Sequence, residues 1–505
     1  QQVTHSPHSF RTHLRGRLLE TGDSLEVRIG PDSLPAVVED RLADGSIASV
    51  LVIGQGTAAV AGQSLAQFLF GLLADTEVRV EALPATELSG FRMRADMSDT
   101  LVVAISQSGT TTDTNRTVDL VRSRGAAVVA IVNRRGSDLT DKADGVLYTA
   151  DGRDVEMSVA STKAFYSQVA AGMLLSYGIA AVVPGANHFS EESEQAVLRA
   201  MHALPGDMER TLTTRPAIAA AARQLAPSRR YWALVGNGVN QIAARELRIK
   251  LSELCYKSIA CDATEDKKHI DLSSEPLIFV CAAGLVGSTA DDVAKEVAIF
   301  AAHKATPVVV ASEGARGFDA AAAVLEVPDT HERLGFVLAT MVGHLFGYEA
   351  ALAIDSQAQP LREARAAIDE LVGDVVLGED GHGLDASALM AKLGPVLRPM
   401  ATRWIEGMRT GAYNGHLEAG TAVQLAAEFR YATGISPLDG YELEFGRRGT
   451  PAVVIDDLGD SLSAAIDELT RPVDAIKHQA KTVTVGISRS DEAILNVPLV
   501  EAALH

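Results

Sequence analysis

The sequence predicts an α/β protein built from two tandem, doubly wound parallel-sheet domains, with an extra α/β region and a C-terminal tail behind them. Three observations predict it. Short unbroken apolar runs alternate with longer amphipathic stretches, the signature of strands buried on both faces between helices. Gly- or Ser-rich turns follow several of these runs directly. The plan of the first third of the chain then repeats in the second. At roughly 100–200 residues per domain, 505 residues suit two to four domains.

Taken in order, residues 1–45 read as a helical, polar lead-in. A first domain over 46–188 opens with the strand Ser49-Val50-Leu51-Val52-Ile53, which ends in Gly54-Gln55-Gly56-Thr57. An Ala-rich helix, 58–74, follows. Strands are then expected at 77–80, 100–105, 127–132 and 145–148, with a helix over 111–125 and a long closing helix over 160–180. A second domain over 189–355 begins with a helical connector to about 225. Its strands fall at 230–235, 276–281, 307–311 and 323–327, and its helices at 240–254, 290–303 and 333–355. The similarity of the two units is architectural, with no fixed-period repeat. Residues 356–470 change character, with polar helices at 361–373, 385–409 and 418–432 and a strand at Pro451-Ala452-Val453-Val454-Ile455-Asp456. Residues 471–505 form the tail.

Composition excludes some functions. The chain holds 45 Lys and Arg against 65 Asp and Glu, a net charge of −20. Nucleic-acid phosphates and anionic lipid would be repelled, so neither partner is expected. An anionic substrate needs a site built locally from backbone N–H groups and hydroxyls. Three cysteines (Cys255, Cys261 and Cys281) cannot make a disulfide framework and lack zinc-site spacing, so a cytoplasmic location and no metal are expected. No long apolar run escapes charge or Gly, so no membrane span is expected. The start has no signal-peptide pattern and no initiator Met, which suggests a chain processed or excised from a longer protein.

Five segments carry candidate chemistry. Ser106-Gln107-Ser108-Gly109-Thr110-Thr111 lies between a buried strand and a helix. Ligands bind beyond the carboxyl ends of strands in open α/β sheets, and a helix N-terminus there offers free N–H groups. The same residues also suit plain turn and N-cap chemistry. Gly54-Gln55-Gly56-Thr57 is a second such turn, where glycine equally serves a tight connection. Val159-Ala160-Ser161-Thr162-Lys163-Ala164-Phe165 precedes a long helix, which Ser161 or Thr162 can cap. On the helix 240–254, Glu246, Lys250 and Glu253 share one face. A solvated salt-bridge ladder is the ordinary reading. Apolar neighbours Leu247, Ile249, Leu251 and Leu254 instead favour an enclosed carboxylate, with its pKa raised as a proton carrier needs. His269, in Asp266-Lys267-Lys268-His269-Ile270-Asp271, is notable only for following that helix.

Together these segments resemble the isomerase half of the glucosamine-6-phosphate synthases (glutamine–fructose-6-phosphate aminotransferases), a tandem of two flavodoxin-like sugar isomerase (SIS) domains. Ser106 to Thr111 with Asp113-Thr114 looks like the family's SQSGETADT loop, with Thr110 in place of Glu. Val159 to Phe165 matches its VASTKAF. Phe91-Arg92-Met93-Arg94 looks like FRYR, and Gln55-Gly56-Thr57-Ala58 stands where the family has CGTS. The helix to Tyr256 resembles EGALKLKEISY. His269 falls on the family's ring-opening histidine by spacing from Tyr256, although the surrounding GELKHGPLAL is not kept. In the tail, Val473-Asp474 and Ala480-Lys481-Thr482-Val483-Thr484-Val485 look like VDQPRNLAKSVTVE.

The resemblance implies roles. Ser106, Gln107, Ser108 and Thr111 would hold a sugar 6-phosphate, and Gly56, Thr57, Val159 and Ser161 would line the sugar. His269, supplied across subunits, would open the ring. Lys481 would form an imine with the ketose, and Glu253 would carry the proton between C1 and C2 with Lys250 beside it. A rival alignment puts Arg365 at the lysine position, where Arg could not form an imine. No cofactor or metal is implied. A homodimer or higher homo-oligomer is. The family's glutaminase needs a cysteine directly after the initiator Met, and the first cysteine here is Cys255. The chain would therefore lack a glutaminase domain, use free ammonia, or run as a glucosamine-6-phosphate deaminase. An Amadori-phosphate deglycase and a non-catalytic sugar-phosphate sensor are the other readings.

Overall fold

The structure, a computed structural model, describes residues 2–149, 162–186, 191–267, 271–376 and 386–470. Val159, Ser161, His269, Lys481 and the tail lie outside the described residues.

The lead-in departs from the all-helical expectation. Between helices Gln2–Leu14 and Ala36–Ala43 it forms an antiparallel hairpin, β1 (Leu18–Thr21) and β2 (Ser24–Val27). Leu18 and Leu25 are buried while Glu20 and Glu26 are exposed, and strands of four residues are too short to display a clear period. Gln195 finishes the hairpin edge, accepting from Leu25 N and donating to Leu25 O at 2.9 Å each.

Two five-stranded parallel sheets follow. The first contains β3 (Ser49–Gly54), β4 (Arg79–Pro84), β5 (Thr100–Ser106), β6 (Ala127–Val132) and β7 (Gly145–Tyr148), in the order β4-β3-β5-β6-β7. The second contains β8 (Trp232–Gly236), β9 (Ile259–Asp262), β10 (Leu277–Cys281), β11 (Thr306–Ser312) and β12 (Ala323–Val327), in the order β12-β11-β10-β8-β9. Counted within each sheet, both read 2-1-3-4-5 from one edge. The duplicated doubly wound plan is therefore present in the sheets themselves. Every residue of β5 and β6 is buried, which is why their sequences are unbroken apolar runs. Strand β9 escaped the sequence reading because Ile259-Ala260-Cys261-Asp262 has no alternation and only three apolar residues in a row.

Four helices join the two sheets. Thr57–Leu72 packs against Thr162–Val182, Asn240–Cys255 packs against Gly335–Gln357, and Thr57–Leu72 also meets Asn240–Cys255. One hydrophobic core runs through both units, from Leu65 and Phe165 to Leu247 and Leu338. Gly343 permits the tightest approach, since a Cβ there would lie 2.2 Å from Leu247 Cδ1. Thr162–Val182 and the helix beginning at Gly335 are long and apolar enough to cross a membrane, but 83% of the apolar window in each is buried inside the fold.

The region after Gln357 has a core of its own, around Trp404, Phe429, Tyr441, Leu458 and Leu462. Its described residues are helical rather than α/β. The strand expected at 451–456 is instead the first part of helix Pro451–Leu469. Pro451 sits in the first turn, the Thr450 side chain accepts from Val453 N, and Val454, Leu458, Leu462, Ala465 and Leu469 form a buried stripe at helical spacing. The β-branched Val453-Val454-Ile455 imitated a strand, but the stripe extends over the whole segment.

Lys257 and His416 fasten this helical unit to the second sheet. Lys257 Nζ donates to the carbonyls of Arg229 (2.7 Å), Arg230 (3.3 Å) and Gly415 (3.2 Å). Burial draws its pKa down to about 8. Burial, and then the charge of Lys257, push His416 from 6.5 to about 4. The unfolded chain therefore takes up the His416 proton near pH 6.5 and the folded chain only near pH 4. Stability falls as pH drops through that window, by up to about 3 kcal/mol. Thermal unfolding midpoints across pH 4 to 6.5 check this. His416→Gln is expected to flatten the fall, and an unchanged slope in that variant would contradict the assignment.

Candidate active site

The residues predicted to grip phosphate form one loop at the exit of β5. Ser106 is buried, and its Oγ accepts from Gly109 N at 3.0 Å and stands 3.2 Å from Thr111 Oγ1. Ser108 Oγ accepts from Thr110 N at 3.2 Å and pairs with Thr110 Oγ1 at 3.0 Å. Asn115 Nδ2 and Leu139 N donate to the Gly109 carbonyl at 3.0 and 3.1 Å, and Asn133 N donates to the Gln107 carbonyl at 3.2 Å. Gly109 turns the loop at φ +68°, and a Cβ there would lie 2.0 Å from Ser137 Oγ. Helix Thr112–Arg122 starts next, with Thr111 as its extended N-cap. Its first-turn N–H groups have no partners within the helix. Hydroxyls and N–H groups so placed can hold a dianion without a lysine.

The neighbouring strand β3 leads into the second expected turn. Gly56 adopts φ +56°, and Thr57 begins helix Thr57–Leu72. The strand order reverses between β3 and β5, so both turns open on one switch-point crevice.

The second sheet repeats this cradle with fewer hydroxyls: Ser312 Oγ accepts from Gly284 N at 3.0 Å and Thr289 lines the cavity, but the loop itself carries none. Gly236 and Gly238 follow the pattern of Gly54 and Gly56, with φ +56° again at the later glycine, and Val239 stands where Thr57 does. The loop after β10 turns at Gly284 (φ +75°) and reads Ala282-Ala283-Gly284-Leu285-Val286. A cavity of about 340 Å³ opens there, but Glu265, Asp292 and Glu332 outnumber its single arginine, Arg333. Carboxylates and methyl groups suit a phosphate poorly. Of the two duplicated crevices, the first is dressed for an anion.

Helix Asn240–Cys255 brings the acid–base residues to the seam between the sheets. Thr57 Oγ1 donates to Glu246 Oε1 at 3.3 Å, which ties the first crevice to this helix. Lys250 Nζ stands 3.3 Å from Glu253 Oε2 and 3.9 Å from Glu246 Oε1. The sequence left open which carboxylate on this face is enclosed, and the resemblance gave Glu253 the proton-carrying role. The structure encloses Glu246 completely and leaves the Glu253 side chain 29% accessible. The cause is position along the helix: Glu246 faces the seam, whereas two turns later the helix ends among exposed Leu254 and Tyr256. Glu253 is thus open to solvent, and Lys250, itself buried, bridges the two carboxylates.

Two residues here were missed from sequence. His344 Nε2 stands 3.6 Å from Glu246 Oε1, and its Nδ1 is 2.8 Å from Tyr166 OH. Burial lowers the His344 pKa, and burial together with Glu246 raises that of Tyr166, so both are neutral near pH 7. The available signal was a lone histidine in the otherwise apolar run Met341 to Phe346. Arg365 is engaged elsewhere. Its Nε bonds Asp369 at 3.0 Å and its Nη1 bonds Ser463 Oγ at 2.8 Å and the Gly459 carbonyl, all within the helical unit. Among the described residues, no group of three or more His, Cys, Asp or Glu converges as a metal site.

Comparison with known proteins adds the following. The family model of the SIS domain matches residues 46–177. Glutamine–fructose-6-phosphate aminotransferase (isomerizing) of Streptomyces coelicolor is 33% identical over 369 residues, 70% of this chain and 55% of that protein. The enzyme of the same name from Corynebacterium efficiens is 30% identical over 362 residues, 70% of this chain and 54% of that protein. The chain thus spans about half the length of the curated relatives it matches. Among solved structures, the C-terminal domain of glucosamine-fructose-6-phosphate aminotransferase from Francisella tularensis superposes with a TM-score of 0.59 at 19% identity, over 70% of this chain and 94% of that one. Tagatose-6-phosphate ketose/aldose isomerase from Escherichia coli gives 0.52 at 16% identity, over 70% and 91%. At these identities the structures share the fold.

Proposed function

The chain is a SIS-domain protein related to the isomerase half of the glutamine–fructose-6-phosphate aminotransferases, and we propose that it interconverts fructose 6-phosphate plus ammonia with glucosamine 6-phosphate. The observation that carries the proposal is a link between two chemistries. The hydroxyl-bearing loop Ser106–Thr111 and Thr57 follow the adjacent strands β5 and β3, and Thr57 bonds to Glu246, on the helix that also carries Lys250 and Glu253.

The phosphate anchors in the loop of Ser106, Gln107, Ser108 and Thr111. Anchoring one end of the sugar turns the reaction at the other into a local one. Gly56, Thr57, Val159 and Ser161 line the sugar, and His269 opens the ring. Lys481 takes the C2 carbonyl as an imine, from which ammonia displaces it. Glu253 removes a proton from C1 and returns it to C2, which converts the ketose imine to the aldose amine. The partial exposure of Glu253 gives substrate access to its carboxylate, and Lys250 holds that carboxylate in place. By reversibility the same groups catalyse deamination. Lys481 is eleven residues beyond Thr470, where helix Pro451–Leu469 ends beside Leu254 and Tyr256. Eleven extended residues span up to about 37 Å, enough to bring a lysine back along helix Asn240–Cys255. A dimer or larger homo-oligomer and a cytoplasmic location belong to the same proposal.

Incubation with fructose 6-phosphate and ammonium tests it. Glucosamine 6-phosphate is expected to form, and calorimetric titration with the sugar phosphate should saturate at one per chain. Tight binding without turnover in either direction would replace this reading with that of a sugar-phosphate sensor.

A further inference from the structure

We infer that His344, backed by Tyr166, is a positioning residue that sets the orientation of the buried Glu246 carboxylate, and through it that of Lys250 and Thr57. The inference rests on the function proposed above for its consequence, but on geometry for its substance. Glu246 stands at a crossing of four helices: its own, Thr57–Leu72, Thr162–Val182 and Gly335–Gln357. Within reach of it are Thr57 Oγ1 at 3.3 Å, His344 Nε2 at 3.6 Å and Lys250 Nζ at 3.9 Å. Burying a carboxylate completely is costly unless donors converge on it.

The donor pattern has a direction. Tyr166 OH and His344 Nδ1 are 2.8 Å apart. An imidazole that turns Nε2 toward a carboxylate must carry its proton there, because two acceptors would repel. Nδ1 is then the acceptor, and the Tyr166 hydroxyl donates to it. The series thus runs from the Tyr166 O–H, donated to His344 Nδ1, to an Nε2–H aimed at Glu246 Oε1 3.6 Å away, just beyond hydrogen-bond length. The rings of Tyr166 and Phe165 lie edge-on to the imidazole at 5.7 and 6.4 Å between centroids and fix its plane. A neutral donor on this side leaves the negative charge of Glu246 to be neutralised by Lys250 alone. That fixes the Lys250 ammonium between Glu246 and Glu253. Without His344 the carboxylate would swing, and Lys250 would lose its register with Glu253.

The whole chain tests this in two ways. In ¹⁵N-histidine NMR, His344 should appear as the tautomer protonated at Nε2, and Glu246→Gln should shift its resonances. Protonation at Nδ1 would overturn the inference, even in a protein with no turnover, so its failure is separable from that of the proposed reaction. In kinetics, His344→Leu should lower kcat about tenfold or more with KM for fructose 6-phosphate within about twofold. His344→Gln, whose amide can replace the Nε2–H, should restore most of that loss. Tyr166→Phe, which keeps the ring, should fall between the two. A folded His344→Leu with unchanged kcat would overturn the inference. So would equal kcat losses in the Leu and Gln variants. Should His344→Leu not fold, the Gln and Phe variants decide: a Tyr166→Phe kcat at or above wild type would overturn it, and a loss exceeding that of His344→Gln would uphold it.

Discussion

Glu253→Gln is expected to lower turnover of fructose 6-phosphate with ammonia by about 10²- to 10⁴-fold, the range for removing a positioned acid–base group. The amide keeps the size of the side chain and still offers an oxygen to Lys250, 3.3 Å away in the native pair. It cannot take up a proton from carbon. Sugar-phosphate affinity should stay within about threefold, because the anchoring hydroxyls belong to the loop after β5 and not to this helix. A kcat loss without a KM change therefore isolates the proton step. The carboxylate next in line is Glu246, and it makes a poor substitute: it is fully buried and already engaged by Thr57 and Lys250. Turnover within a few-fold of wild type would remove Glu253 from the chemistry.

The second large effect is expected at Gly109. Gly109→Ala puts a methyl carbon 2.0 Å from Ser137 Oγ and 2.6 Å from Ser137 Cβ, at a φ of +68° that side chains rarely adopt. Neither residue can yield easily, because Leu139 N and Asn115 Nδ2 pin the Gly109 carbonyl. The loop must open, and Ser106 Oγ loses the Gly109 N–H that aims it. Loss of two charge-assisted hydrogen bonds to the phosphate amounts to about 3 kcal/mol or more, or about a hundredfold in the dissociation constant. Calorimetric titration with fructose 6-phosphate measures this directly. The sheet should survive, since β5 and β6 pack through side chains below the loop. Binding of native strength in a folded Gly109→Ala protein would mean that the phosphate sits elsewhere, and the Gly284 crevice of the second sheet would be the next place to look.

The sequence made the parallel sheets legible because full burial on both faces forces unbroken apolar strands. The Ser106 loop was legible because its chemistry is contiguous in the chain. What escaped was non-contiguous or short. The strands of the hairpin Leu18–Val27 are too short to display a period, and β9 has only three apolar residues in a row. The helix from Pro451 began with three β-branched residues that imitated a strand, and only its later stripe of Leu458, Leu462 and Leu469 reveals it. In the site, Glu246 was seen as a partner for Lys250 but not as the buried hub. Burial there comes from helices Thr57–Leu72, Thr162–Val182 and Gly335–Gln357, each remote in sequence. His344, 98 residues further along the chain than Glu246 (344 − 246), could be linked to it only by the fold.

The account turns on the claim that the sugar phosphate lies with C1 and C2 against Glu253. Deuterium uptake at C1 of fructose 6-phosphate, followed by NMR in D₂O with enzyme and ammonium, measures that contact directly. Label should enter at C1 with the native chain and should not enter with Glu253→Gln, while both bind the sugar phosphate equally. Exchange that persists in the variant, or a native chain that binds the sugar phosphate and exchanges nothing, would contradict the account.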